Sequence, residues 1–200
     1  LKSNEEIFWA GNFGDKYTKR NSKSSNRTRT IGRELLKNKI KLSSAFEIGT
    51  NVGFNLDALK NIYPKIKTYG VELNRKSYNI CKKKHQCFNK SLLDFDTKKK
   101  FDLVFTSGVL IHQNPKYLKV FYKKLYKFSL KYIYIAEYFN PTPVTVKYRG
   151  HDDKLYKRDF AKEIWDTFPN LKLIDYGFHW KFDPYLKHNC DDANWFLFKK

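Results

Sequence analysis

The sequence predicts an α/β domain in which a mostly parallel sheet carries helices on both faces, and three observations predict it. Apolar runs of strand length alternate with stretches of helical periodicity along the 200 residues, the order that builds parallel βαβ units. The run Phe46-Glu47-Ile48 stops at Gly49-Thr50-Asn51-Val52-Gly53, and a second run stops at the acid of Val71-Glu72. Glu72 follows Gly53 by 19 positions, close to the span of helix, turn and second strand in a nucleotide-binding unit. The 41% hydrophobic and 18% aromatic content can fill one core, so residues 1–200 read as a single domain.

Residues 1–26 are polar and aromatic, with Trp9, Phe13 and Tyr17 among glycines and asparagines, and read as a cap over the site. A helix at about 28–41 leads into strand 44–49. Helix 53–62 offers Phe54, Leu56, Leu59 and Ile62 to the core and stops before Pro64. Strand 67–72, helix 74–84, a short strand near 87–91, strand 101–106, helix 115–128 and strand 131–137 continue the alternation. Residues 139–157 break it with two prolines and several polar aromatics. They leave the carboxyl end of the fifth strand, the edge where open α/β sheets bind ligands, and read as a substrate loop. Helix 158–168, strand 171–179 and a last strand at Trp195-Phe196-Leu197-Phe198 complete the chain.

A strand ending in glycines lets backbone N–H groups approach a ligand, and an acid ending the next strand can accept hydrogen bonds from both ribose hydroxyls. The pair reads as a nucleoside-cofactor site. Asn51 stands where the dinucleotide fingerprint needs its second glycine to pack against a pyrophosphate, so a cofactor without a pyrophosphate fits better. S-adenosylmethionine (SAM), with adenine, ribose and a methionine arm, is such a cofactor.

The formal net charge of +20 raises nucleic acid as a partner. Only 7 of the 40 basic residues are Arg, whereas phosphate and base recognition favour Arg forks, and the lysines are scattered. A solvated basic surface is therefore preferred to a nucleic-acid platform. No apolar run reaches the roughly 18 residues of a membrane span and no signal-peptide pattern opens the chain, so a cytoplasmic protein is expected. Cys81, Cys87 and Cys190 imply neither a disulfide framework nor a zinc ribbon. The chain opens on Leu1 and contains no methionine, which suggests a trimmed start.

Several further segments carry a resemblance. Ser91-Leu92-Leu93-Asp94 falls where methyltransferases of a Rossmann-like fold hold adenine, and Phe101 to His112 (FDLVFTSGVLIH) resembles their fourth strand and active-site loop. The chain thus resembles the class I SAM-dependent methyltransferases. Through FWAGNFGDKYTKRN, FEIGTNVGFNLDALK, VELN, FTSGVLIHQNP, IAEYFNPTPV, YRGHDDKLYKRDF and DDANWFLF it is similar, more narrowly, to the pseudaminic-acid-biosynthesis-associated methylases. The resemblance implies a seven-stranded sheet of order 3-2-1-4-5-7-6 with its seventh strand antiparallel. It also implies SAM as cofactor and S-adenosylhomocysteine (SAH) as product, bound by Glu47, Gly49, Gly53, Glu72 and the Ser91-Leu92 pair. Asn51 replaces the commoner glycine of that motif. Leu73 beside Glu72, and Ser107 and Gly108 on the fourth strand's loop, join the expected cofactor set.

Methyl transfer needs an acceptor held about 3 Å from the methyl carbon, opposite the sulfur. Trp9, Phe13 and Tyr17 are candidates for an aromatic wall that excludes water and stabilises the sulfonium by cation–π contact, although they equally suit a packed cap. Trp9 and Tyr17 are assigned to the cofactor and Phe13 to the acceptor. His112, on the active-site loop, is the first candidate for general base, followed by Glu137 at the end of strand five and His151 in the substrate loop. Tyr148, Arg149 and Arg158 are expected to hold the acceptor, the arginines gripping a carboxylate or phosphate, and Arg20 the cofactor carboxylate or the acceptor. His179, His188, Cys190, Asp191 and Asp192 match no zinc template, so no metal is expected. These residues describe SAM-dependent methyl transfer to a small polar acceptor, a sugar or nonulosonic acid of surface-glycan synthesis. The alternatives are an RNA methyltransferase using the lysine-rich surface and an inactive nucleoside-binding module.

Overall fold

The computed structural model describes residues 3–21, 29–184 and 191–200. Among the described residues nine strands form in chain order. They are β1 (Ser44–Ile48), β2 (Lys67–Val71), β3 (Gln86–Phe88), β4 (Phe101–Ser107), β5 (Ser129–Glu137), β6 (Val144–Tyr148), β7 (His151–Lys157), β8 (Lys172–His179) and β9 (Ala193–Lys199). Seven make one sheet of order β3-β2-β1-β4-β5-β9-β8. With β6 and β7 set aside this is the expected 3-2-1-4-5-7-6. β9 runs antiparallel to both β5 and β8, and the other pairs are parallel.

Both faces of the sheet are covered because its strand residues alternate between two apolar clusters. Ala45, Leu103, Phe105, Tyr134 and Ala136 meet Ile31 and Leu35 of α3 (Arg29–Lys37), Leu56 and Leu59 of α4 (Phe54–Ile62) and Cys81 of α5 (Arg75–Cys81). Phe46, Ile48, Val104, Ile133 and Ile135 face the other way, onto Phe121, Leu125 and Phe128 of α6 (Leu118–Phe128) and Ile164 of α7 (Phe160–Thr167). Each of the larger aliphatic and Phe side chains among them, taken fully from water, contributes about 1.5–3 kcal/mol, so the two layers fix the sheet and hence the loops at its carboxyl edge.

Residues 3–21 form two short helices, α1 (Asn4–Ala10) and α2 (Asn12–Asn21), which contribute to neither cluster. Polar contacts dock them on the start of α5. Asn74 caps α5 through its side-chain oxygen, while its Nδ2 donates to the Trp9 carbonyl (3.2 Å) and to Asp15 (2.9 Å). Thr18 and Ser77 share a buried hydroxyl contact, and Lys76 pairs with Asp15 at 2.7 Å.

Several expected elements differ. The stretch 139–157 is not a loop throughout: β6 and β7 pair as an antiparallel hairpin. Arg149 (φ 49°) and Gly150 (φ 85°) link them with two consecutive positive φ values, the form whose twist suits a two-residue hairpin turn. The helix expected over 28–41 ends at Lys37, and the one expected over 115–128 opens with a 3-10 turn at Pro115–Tyr117. Cys81 and Cys87, which the sequence left unpaired, form a disulfide with Cα atoms 6.6 Å apart.

Candidate functional site

The loop after β1 is the first determinant of the site. Gly49 (φ 72°), Asn51 (φ 48°) and Gly53 (φ 92°) all adopt left-handed backbone, which folds the chain back over the strand end. Asparagine is among the few side chains that tolerate this region, so Asn51 replaces a glycine without breaking the turn. Its side-chain oxygen accepts from Ser77 Oγ at 3.1 Å, tying the loop to α5. At the end of β2, Glu72 accepts from the backbone N–H of Asn51 on one oxygen and of Asn74 on the other, each at 2.7 Å. Every carboxylate oxygen has a second lone pair, so Glu72 can still accept from two vicinal hydroxyls.

Two cavities open at this edge and share Tyr17, Gly49, Asn51, Ser107, Gly108 and His112. The first runs past Glu72 and Leu73 to Leu92 and is roofed by Trp9. The second, about 330 Å³ against about 150 Å³, reaches Glu47, Arg20, Tyr148 and Arg149 and has room for a second molecule. Ser107 and Gly108 end β4 on this shared floor, where a Cβ at Gly108 would meet nothing within 4 Å. Gly53 and Ser91 stand behind the walls. Gly53 caps α4 against His85 and Cys81, and Ser91 bonds Glu6 and the Leu93 N–H.

The walls are acidic in a basic protein. Glu47 is 1% exposed; its Oε1 accepts from Asn55 at 2.7 Å, while Oε2 has no partner. Burial, opposed by the Asn55 bond and reinforced by the neighbouring Glu72 charge, pushes its carboxyl well above the usual range. Burial also raises Glu72. A cation reaching Glu47 would give the unsatisfied oxygen its partner.

His112 sits where the cavities meet, its ring centroid 4.6 Å from Trp9 and 4.8 Å from Tyr148. Burial holds its pKa down to about 4, so the imidazole is neutral near pH 7, and Nδ1 bonds the Lys154 carbonyl of β7. Nδ1 therefore carries the proton and Nε2 is left as the acceptor.

Besides Gly53 and Ser91, four expected site residues lie outside both cavities. The Glu137 carboxylate accepts from Thr106 Oγ1 (3.2 Å) and from the N–H groups of Val109 (3.1 Å) and Ile111 (3.3 Å), so it orders the loop leading to His112. Arg158 is held by Glu163 at 2.7 Å through Nε and Nη2, which commits that edge of its guanidinium to an ion pair. His151 is exposed and packs edge-on to Phe8 (4.9 Å) and Phe13 (5.6 Å). Phe13 stacks on Phe8 at 4.1 Å, joining the helical cap to the hairpin. His188 and Cys190 fall outside the described residues, among which no group of three His, Cys, Asp or Glu could hold a metal.

No protein-family model matches the chain, and no curated protein does. Solved structures do match along nearly its whole length. The plantazolicin methyltransferase BpumL in complex with SAH aligns with a TM-score of 0.67 at 13% identity, over 98% of this chain and 94% of that one. Magnesium protoporphyrin IX methyltransferase (ChlM) from Synechocystis PCC 6803 with bound SAM gives 0.67 at 10% identity, over 100% and 99%. A SAM-dependent methyltransferase from Archaeoglobus fulgidus gives 0.67 at 16% identity, over 94% and 100%. The chain has the Rossmann-like methyltransferase fold.

On this methyltransferase fold, sequence reasoning missed the acids of α1 and the residues that dock it. Glu5 and Glu6 are both buried and line the first cavity with Asn74 and Ser77. One signal was available: Ser3 and Glu6 have capping-box spacing, and Ser3 Oγ does accept from the Glu6 N–H at 3.1 Å. The Glu6 carboxylate does not return to Ser3 but bonds Ser91. Asp94, in the segment expected at adenine, is exposed and outside the cavity. Tyr138, His179 and Asp191 complete the second cavity.

Proposed function

We propose that the protein is an enzyme that transfers a methyl group from SAM to a small anionic acceptor. The observation that carries this reading is Glu72 at the end of β2, both oxygens braced by backbone N–H groups, in a cavity continuous with a second one at His112. The residues fit the cofactor. Glu72 suits the ribose hydroxyls, the unpartnered oxygen of Glu47 suits the methionine ammonium, and the aromatic wall of Trp9 and Tyr17 suits a sulfonium.

When bound, SAM supplies an electrophilic methyl: the acceptor's lone pair forms the new bond to carbon, the carbon–sulfur pair returns to sulfur, and SAH leaves. The chain's own part is positioning and proton removal. His112 Nε2 takes the proton of an acceptor hydroxyl, its tautomer fixed by Lys154. Tyr148 and Arg149 line the second cavity, with Arg20 at its rim, and two guanidinium groups there favour an acceptor with a carboxylate or phosphate. A nonulosonic acid or nucleotide-linked sugar of surface-glycan synthesis has that chemistry, and the resemblance to pseudaminic-acid-associated methylases points the same way. The reading puts the enzyme in the cytoplasm with its soluble donor.

The test is turnover of SAM against nucleotide sugars, nonulosonic acids and small amines, following SAH release and the mass gain of one methyl. Calorimetry that finds no binding of SAM or SAH would overturn the reading.

A further inference from the structure

We propose that Glu5 of the helical cap selects the 6-amino purine of the cofactor, accepting a hydrogen bond from its exocyclic amino group; this rests on the SAM reading above. Glu5 is 3% exposed and lines the first cavity, as do Leu92 and Phe121. Its two oxygens are unequal. Oε1 accepts from Asn114 Nδ2 (3.2 Å) and lies 3.3 Å from Tyr156 OH, whose one proton is shared with the Asp153 carbonyl at 3.0 Å, whereas Oε2 is buried with no partner. An acceptor left unsatisfied away from water is costly unless a ligand supplies a donor.

The other candidate acids are otherwise placed. Glu6 bonds Ser91, Glu72 bonds Asn51 and Asn74, and Asp94 lies outside the cavity. Leu92 and Phe121 add apolar surface to the same cavity, which suits a purine ring. A 6-amino purine presents an N–H donor at this edge; a 6-oxo purine presents an acceptor, which would face the Glu5 carboxylate. The selectivity therefore lies in a helix outside the sheet, and cap docking and base recognition are the same event.

The experiment compares calorimetric affinity for SAH and for S-inosylhomocysteine, its 6-oxo analogue, in the whole protein. Wild type should prefer SAH by about tenfold or more, the effect of one hydrogen bond to a charged group. In Glu5→Gln the Asn114 and Tyr156 donors should hold the amide oxygen on their side and turn the amide N–H toward the ligand. The preference should then collapse or reverse. Glu72→Ala serves as the contrast, because it should weaken both ligands alike and keep their ratio. Should Glu5→Gln not fold, Glu5→Asp, which withdraws the oxygen by one methylene, should lower the ratio instead. An unchanged ratio in a folded Glu5 variant, or no preference in wild type that binds SAH, overturns the inference alone. Wild type that binds neither ligand overturns the SAM reading as well.

Discussion

The ring of His112 donates from Nδ1 to the carbonyl of Lys154 across 2.7 Å, which makes a strand of the hairpin the device that sets a histidine at the end of β4. The bond favours the protonated ring, but burial outweighs it and holds the pKa down to about 4. A neutral imidazole with a fixed acceptor nitrogen can receive a proton throughout the neutral range. His112→Ala should therefore leave SAH affinity nearly intact and lower turnover by roughly 10²-fold, the lower end for loss of a general base. In wild type, kcat should show no inflection near the ordinary histidine value of about 6.5. An inflection there that His112→Ala removes would contradict the assignment.

Glu137 works on the same loop from the opposite side. Burial raises its carboxyl to about 7 even though Val109, Ile111 and Thr106 all donate to it. The folded protein thus holds a proton on Glu137 that the unfolded chain, titrating near 4.5, has released. The associated stability is present below about 4.5 and lost as pH rises through about 7. Glu137→Gln cannot titrate, so the stability of wild type relative to the variant should fall across that window by up to about 3 kcal/mol. Urea unfolding at several pH values measures it, and a constant difference would refute it.

The parts of the site that were legible in the sequence are those written locally. Gly49, Asn51 and Gly53 follow an apolar strand, and Glu72 ends the next one, so chain order alone placed them at one edge. The hairpin was hidden because β6 and β7 are largely exposed and lack the period-two alternation that betrays a half-buried strand. Arg158 looked available until folding brought Glu163 and Tyr122 together beside it, Tyr122 donating to the same carboxylate at 2.7 Å. Glu5 was silent for a similar reason. Acids in the first turn of a short helix are ordinary, and only the long-range contacts with Asn114 and Tyr156 show one of them to be buried.

Glu47 makes a prediction about protons on binding. Its carboxyl is held well above the usual range by burial, so there is a pH at which it keeps a proton that an ordinary carboxyl has lost. An ammonium placed against Oε2 would favour the charged form and expel that proton. SAH binding measured in buffers of different ionisation enthalpy should show proton release at that pH, and Glu47→Gln should abolish it. Equal binding enthalpies in all buffers for wild type would rule out this role.

The lysine-rich surface should bind RNA only weakly and without sequence preference. Lys39, Lys41, Lys131, Lys199 and Lys200 gather around a cleft at the amino-terminal ends of β1 and β5, the edge opposite the two cavities. Two of them are spoken for, Lys131 by Asp102 at 2.9 Å and Lys200 by the carbonyls of Tyr126 and Ser129. Affinity should fall steeply with added salt, as counterion release requires. Tight, salt-resistant binding of one structured RNA, with methyl incorporation into it, would favour the RNA methyltransferase instead.

Gly14 decides whether the cap can close. A Cβ there would lie 1.8 Å from the Trp9 carbonyl oxygen and 2.9 Å from Asn74 Nδ2, the two atoms whose bond docks α1 on α5. The contact is with backbone, so it cannot be relieved by a side-chain rotation, and Gly14→Ala must push α1 outward with Trp9 and Glu5. Overpacking of this kind costs roughly 1–3 kcal/mol. Because α1 and α2 belong to neither apolar cluster, the loss should appear chiefly in ligand affinity, as a rise in the Kd for SAH of about tenfold or more, with little change in Tm. A large fall in Tm with unchanged Kd would mean that the cap stabilises the fold and plays no part in closing the cavity, and the selectivity assigned to Glu5 would lose its support.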